Sequence, residues 1–198
     1  MMQYGMLIDL KRCTGCNACI ITCKQEHDLP PKIDALPGSI GLSYIRVLTV
    51  GPEGEYPDLS LYYHPMLCMH CANPPCIEAC PTGAIYKRED GVVLIKEEEC
   101  DGCEACLTAC PYDALNMDGE QGIAKKCTFC AHLIDQGQQP ACALACNAGA
   151  IIFGNLDDPD SELFQAIRAA GDDSFVIKPE AGTQPSIHYF KSQRGMPH

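Results

Sequence analysis

The sequence predicts an α+β fold in which a small module of short strands and helical turns is repeated, with inserted loops and a C-terminal helix and extended tail. Three observations predict it. Sixteen cysteines stand in four groups of four that share one outline, which makes an internal repeat. Apolar runs of strand length lead into three of the groups, and hairpin patterns follow two of them. Beyond Cys146 the cysteines stop, and a helical stripe and two extended runs take their place.

Along the chain, GMLIDL (5–10) reads as a short strand that delivers the backbone to Cys13, Cys16, Cys19 and Cys23. The stretch 27–60, with LPPKIDALPGSIGL and VGPEGEYPD, is rich in proline and glycine around one strand-like run, YIRVLTV. It reads as an insertion that packs on the module or on a partner. LSLYYHPML (59–67) leads into Cys68, Cys71, Cys76 and Cys80. TGAIYKREDGVVLI then reads as a hairpin turning through Glu89, Asp90 and Gly91, and GVVLIKEEE (91–99) continues as a strand into Cys100, Cys103, Cys106 and Cys110. PYDALNMDGEQGIAKKC repeats the hairpin ahead of Cys127, Cys130, Cys142 and Cys146. SELFQAIRAAG (161–171) has Ser161 as an N-cap, a stripe of Leu163, Phe164 and Ile167, and a closing glycine, so it predicts one amphipathic helix. FVIKPEAGTQPSIHYF predicts two short extended pieces about a turn, with order at least to Phe190.

The first and third groups have the spacing C-x2-C-x2-C-x3-C; the second widens the middle gap to four residues and the fourth to eleven, while every group keeps the opening C-x2-C and closing C-x3-C. The spacing reads as an iron-sulfur ligand run. Three thiolates of such a loop reach three irons of one 4Fe-4S cubane, while the fourth cysteine, on the helical turn that follows, points away and completes a different cluster. The proline after it, in Cys80-Pro81 and Cys110-Pro111, belongs to the same signature and interrupts the next turn. Structural zinc also uses C-x2-C pairs, but a zinc site has no use for a third cysteine two residues on and a fourth three later. A disulfide framework calls for an oxidising compartment, and no export leader precedes the first cysteine motif.

Composition narrows the function further. A net charge of -12 argues against a nucleic-acid role, which needs a basic face. No apolar run approaches the roughly 18 residues that cross a bilayer. The compartment is therefore expected to be the cytoplasm, or one reached by export with a signal-bearing partner. The 46% apolar and 20% charged composition is that of an ordinary folded protein. There is no phosphate-binding glycine loop, nucleophile elbow or histidine-glutamate metal motif, so the chain is expected to be a non-catalytic electron carrier.

With all four groups in view, the chain resembles the four-cluster electron-transfer subunits of the dimethyl sulfoxide reductase family of molybdopterin enzymes. The most specific parts are CMHCANPPCIEACPTGAIYKREDGVV, CDGCEACLTACPYDA and KCTFCAHLIDQGQQPACALAC with the following AIIFG. The resemblance implies two bacterial-ferredoxin-like modules, one made of 1–26 with 120–155 and the other of 61–119, with 27–60 inserted and 156–198 as a C-terminal extension. It implies four ligand sets: Cys13, Cys16, Cys19 and Cys146; Cys127, Cys130, Cys142 and Cys23; Cys68, Cys71, Cys76 and Cys110; and Cys100, Cys103, Cys106 and Cys80. The electron path would run through groups one, four, two and three, outward from a large catalytic subunit with a molybdenum or tungsten bis-pterin. The second partner would be a quinol-reactive membrane subunit or a soluble carrier.

Two departures stand out. Asn147 follows the last cysteine where relatives carry proline, which relaxes that turn and leaves the ligands intact. Some relatives have tryptophan at the place of Cys103 and hold a three-iron cluster; here a full 4Fe-4S cluster is expected. Alternatives of the same chemistry are a relay subunit of a hydrogenase or formate dehydrogenase, or a stand-alone polyferredoxin. One of another class is a zinc-stapled interaction module. His70 and His132 lie within cysteine loops, where packing or solvent contact is the ordinary role and cluster tuning or proton transfer the functional one. Lys125, Lys126, Lys87 and Arg88 read either as solvated surface charge or as groups that offset cluster charge or contact a partner. Asp101 and Glu104, inside CDGCEAC, are expected to lower the potential of the cluster their loop wraps.

Overall fold

The computed structural model describes residues 2–30 and 41–190. The middle of the expected insertion, 31–40, and the residues after Phe190 lie outside the described residues. In chain order the strands and helices are β1 (Tyr4–Asp9), α1 (Ala18–Glu26), β2 (Ile45–Glu53), β3 (Ser60–Leu67), α2 (Pro75–Glu78), β4 (Ile85–Lys87), β5 (Val93–Ile95), α3 (Ala105–Ala109), β6 (Leu115–Asp118), β7 (Ile123–Lys126), α4 (Ala131–Ile134), α5 (Ala141–Leu144), β8 (Ile151–Asn155), α6 (Glu162–Ala170), β9 (Ser174–Phe175) and β10 (Ile187–Phe190). Helix and strand are mixed and the sheets are small, as an α+β fold of ferredoxin-like modules requires.

One four-stranded sheet has the order β8-β1-β10-β9. β1 pairs antiparallel with β8 and parallel with β10, and β9 closes the edge antiparallel to β10. Flanked on both sides, Gly5 to Ile8 of β1 are all buried, which explains why GMLIDL is a continuous apolar run rather than an alternating one. The remaining strands form three antiparallel pairs, β2-β3, β4-β5 and β6-β7. The last two are the hairpins expected from sequence. The strand expected over 91–99 is shorter: it stops at Ile95, and Glu97–Glu99 turn as a 3-10 helix whose Glu97 carbonyl accepts from the Cys100 N–H at 3.2 Å.

The core has two parts. The larger centres on Met6, Ile8, Ile45, Met69, Phe129, Ile187 and Tyr189. The smaller gathers Ile85, Val93, Leu115 and Ala124 from the two short hairpins around Cys76 and Cys106. Helix packing follows the same division, with α1 against α5 and α2 against α3.

The described part of the insertion packs on the rest of the chain. YIRVLTV forms β2 and pairs with β3, so the insertion and the run leading to Cys68 are one hairpin. Arg46 donates to the carbonyls of Tyr112 (2.7 Å) and Asp113 (2.8 Å). Lys24 is buried and donates to the carbonyls of Pro30 and Leu42, both at 2.7 Å, pinning the two flanks of 31–40 together.

The tail reaches further into the fold than its sequence announces. Its helix forms as expected with Leu163 buried, although Ser161 caps through its carbonyl, which accepts from Gln165, and not through its hydroxyl. Downstream, residues 183–186 lace onto the Cys68–Cys76 loop. Ala72 N–H donates to Gln184 (2.8 Å), Asn73 N–H to Thr183 (3.0 Å), and the Ser186 hydroxyl to the His70 carbonyl (2.7 Å). The chain then enters the sheet as β10, where Tyr189 is fully buried and its hydroxyl donates to the Pro65 carbonyl at 3.0 Å.

Candidate iron-sulfur centres

Each cysteine group follows the same local path. Left-handed residues turn the loop, a helix begins, and the closing cysteine lies within that helix or just past it: Cys23 in α1, Cys80 after α2, Cys110 at the end of α3 and Cys146 after α5. Gly15 shows why the turn needs glycine. Its φ is +68°, and a Cβ there would lie 2.4 Å from the Tyr63 ring.

The closing cysteines sit apart from their own groups. Cys13, Cys16 and Cys19 line one cavity together with Cys146, and Cys68, Cys71 and Cys76 line another with Cys110. In the third arrangement, burial pushes the Cys23 thiol up to about 12 and Cys130 adds to the rise; Cys127 and Cys142 are driven well up by burial, with Cys23 contributing to each. In the fourth, burial pushes Cys106 up to about 11, with smaller contributions from Cys100, Cys80 and Cys103. Two sets of four thus share a cavity, and in the other two the cysteines raise one another's thiols. Among the described residues no three Cys, His, Asp or Glu side chains converge closely enough to share one metal ion.

The four gatherings differ in exposure. Cys23, Cys127, Cys130 and Cys142 are all buried, as are Cys68, Cys71 and Cys76. Cys16 and Cys103 are exposed, each at the rim of its set. Backbone donors point at the sulfurs: Phe129 N–H to Cys127 Sγ at 3.4 Å and Ala150 N–H to Cys146 Sγ at 3.2 Å. Amides aimed at thiolate sulfur favour the charged form and are among the features that set a cluster's potential. Thiols gathered by four, with backbone amides aimed at two of the sulfurs, are a donor set that fits iron-sulfur clusters.

The other candidates divide. His70 is 0% exposed: its Nδ1 accepts from the Val93 N–H at 3.0 Å, its ring stacks on Phe129 at 3.7 Å between centroids, and its Nε2 has no hydrogen-bond partner. Burial holds it well below the usual histidine range, with the Lys126 charge adding to the effect. His132 is half exposed and pairs with Glu26 at 2.7 Å. Lys125 pairs with Glu97 (2.7 Å), Lys87 donates to the Ala72 carbonyl (3.1 Å), and Arg88 bridges Asp90 and Asp135. Lys126 is not the solvated surface lysine of the ordinary reading but a buried one. Asp101 is exposed; its Oδ1 accepts from the Cys103 N–H at 3.2 Å, and its hydrogen bond with Cys103 holds the carboxyl below its usual range. His27, which sequence reading passed over, places Nε2 3.4 Å from Cys130 Sγ. Its position one helical turn after Cys23 was the available signal.

Four cysteine cages on mixed strands and helical turns define a protein of the 4Fe-4S dicluster class. Residues 59–156 match the 4Fe-4S dicluster domain, and 12–84 match a second domain model of the same description. The chain is 41% identical over 211 residues to the B subunit of sulfite dehydrogenase from Allochromatium vinosum, covering 100% of this protein and 87% of that one. It is 40% identical over 222 residues to a putative iron-sulfur B subunit of dimethyl sulfoxide reductase from Halobacterium salinarum (98% and 80%), and 35% identical over 196 residues to the B polypeptide of polysulfide reductase from Wolinella succinogenes (98% and 96%). The protein belongs to the iron-sulfur subunits of the molybdopterin oxidoreductase family. It carries four 4Fe-4S clusters and transfers electrons; it is not the catalytic subunit.

Proposed function

We propose that the clusters are held by crossed ligand sets: Cys13, Cys16, Cys19 and Cys146; Cys23, Cys127, Cys130 and Cys142; Cys68, Cys71, Cys76 and Cys110; and Cys80, Cys100, Cys103 and Cys106. The first two sets form one module from 1–26 with 120–155, and the other two form the second from 61–119. The shared cavities and mutual thiol effects support this division, as do the helix pairs α1-α5 and α2-α3. Each cluster, when bound, accepts and releases one electron.

The order of the relay follows from exposure, which is the observation that carries the reading. Cys23, Cys127, Cys130 and Cys142 are buried, as are Cys68, Cys71 and Cys76, whereas each of the other two sets has one exposed cysteine, Cys16 or Cys103, as the two ends of a relay would. Electrons therefore cross the protein through groups one, four, two and three, and the protein exchanges them at its ends. Cys68 is among the residues that raise Cys127, which brings the two inner sets together across the module boundary.

The ends suit different partners. The helix pair of the group-one module presents Ile21 (64% exposed) and Leu144 (66%), apolar side chains of the kind a permanent subunit interface covers. The large molybdopterin subunit docks there. The group-three end presents Glu97, Glu98, Glu99, Asp101 and Glu104, all exposed, a surface that steers a basic partner. That partner is a quinol-reactive membrane subunit or a soluble carrier. Among the described residues no helix is long and apolar enough to cross a membrane.

A water-confined paramagnetic relaxant tests the order. It should shorten the relaxation of two EPR signals and spare two. Four equally affected signals would refute the buried middle of the relay.

A further inference from the structure

The junction between the modules holds a charge that the relay has not yet used. Val93 turns both of its backbone groups away from β4: its N–H donates to His70 Nδ1 at 3.0 Å, and its carbonyl accepts from Lys126 Nζ. The same Nζ donates to the Cys127 carbonyl at 2.9 Å. A polar path thus runs from the Cys68–Cys71 loop, through one residue of β5, to the first cysteine of group four. Lys126 is only 2% exposed, and among the described residues it has no carboxylate partner.

A buried ammonium needs a counter-charge, because carbonyl dipoles alone do not replace the hydration it loses. The two inner cysteine cages can supply one. Lys126 adjoins Cys127. It also stands opposite Leu115 in the β6-β7 register, and Leu115 and Val93 wall the cavity of Cys68, Cys71, Cys76 and Cys110. Burial pushes the Cys76 thiol up to about 12, and the Lys126 charge opposes that rise.

Resting on the ligand sets above, we propose that Lys126 is a potential-setting residue: one fixed positive charge shared by the two buried clusters, whose thiolate cages are its counter-ions. Reduction adds one negative charge to a cage, so a nearby cation stabilises the reduced form and raises the potential of both inner clusters. Each transfer moves one electron from a cluster to its neighbour, oxidising the first and reducing the second, with no proton taken up and no bond broken. The charge keeps the inner pair from becoming a barrier between the exposed ends.

The test is an EPR-monitored redox titration of the full chain, isolated anaerobically with its clusters. The inner signals are assigned beforehand as those lost in Cys76→Ser and Cys142→Ser; if these two variants removed one and the same signal, the ligand sets would fail before any lysine was changed. Lys126→Gln keeps a donor for the two carbonyls and deletes the charge. It should move both inner midpoints to more negative values and leave the outer two in place. Lys126→Arg, which keeps the charge, should hold the inner midpoints near their original values. Unmoved midpoints in Lys126→Gln, equal shifts in all four clusters, or loss of clusters from Lys126→Gln would each overturn the proposal, the last by making Lys126 a folding residue.

Discussion

Exchange of the closing cysteines has a consequence that a pair of substitutions can read. In Cys23→Ser the perturbed residue lies in α1, four positions after Cys19, yet in the proposed ligand sets its thiol joins Cys127, Cys130 and Cys142, all of them buried. Serine keeps the volume but is a far poorer anion, and in a site where burial already pushes the thiol up to about 12 the hydroxyl will not ionise unaided. One of four ligands is then missing. With four irons per cubane the intact chain holds about 16, so the variant should hold between about 12 and about 15, for a lost or a three-iron cluster. Cys146→Ser should cost the same amount of iron from the other cage, the one with the exposed Cys16. Iron analysis gives the magnitude, and EPR with a surface-confined relaxant says which cluster was hit. Cys23→Ser should remove a relaxant-insensitive signal and Cys146→Ser a sensitive one. The reasoning fails if both variants remove the same signal, or if Cys23→Ser removes the exposed one.

Two further outcomes follow from the loops. Asp101→Asn combined with Glu104→Gln removes two exposed negative charges from the loop of Cys100, Cys103 and Cys106, so the potential of that cluster alone should rise, by less at high salt; four unmoved midpoints in a redox titration would show that the carboxylates merely face water. Gly15→Ala forces a Cβ to within 2.4 Å of the Tyr63 ring at a φ of +68°, so the chain should lose the group-one cluster, about four irons, and a full iron complement would show that the loop gives way instead.

What was legible in the sequence was local. The cysteine runs declare themselves because three ligands of each cage lie within one loop, and the short hairpins because Gly91 and Gly122 sit where positive φ is needed. The parallel partnership of β1 with β10 had no such signal, since Ile187–Phe190 read as any extended piece until Met6 is set opposite Ile187. Lys126 was not legible, because alternation read from Ile123, the most apolar residue of 123–126, turns Ile123 and Lys125 inward, whereas the structure buries Ala124 and Lys126. Nor was His70, because its burial depends on Phe129 and Ser186, which distant segments bring to it.

The lacing of the tail sets a timetable for the protein's birth. A ribosome delivers residues in order, and domains generally fold as units while that happens. Cys68 to Cys110 leave the tunnel close together, whereas Cys13 meets Cys146, with which it lines a cavity, only much later. Among the described strands β1 emerges first, has no sheet neighbour until β8 appears, and gains its second only with Ile187–Phe190. The strap of residues 183–186 over the Cys68–Cys76 loop comes equally late. Of the described strands, β10 is the last to be made, and it is the one that joins β1 to β9.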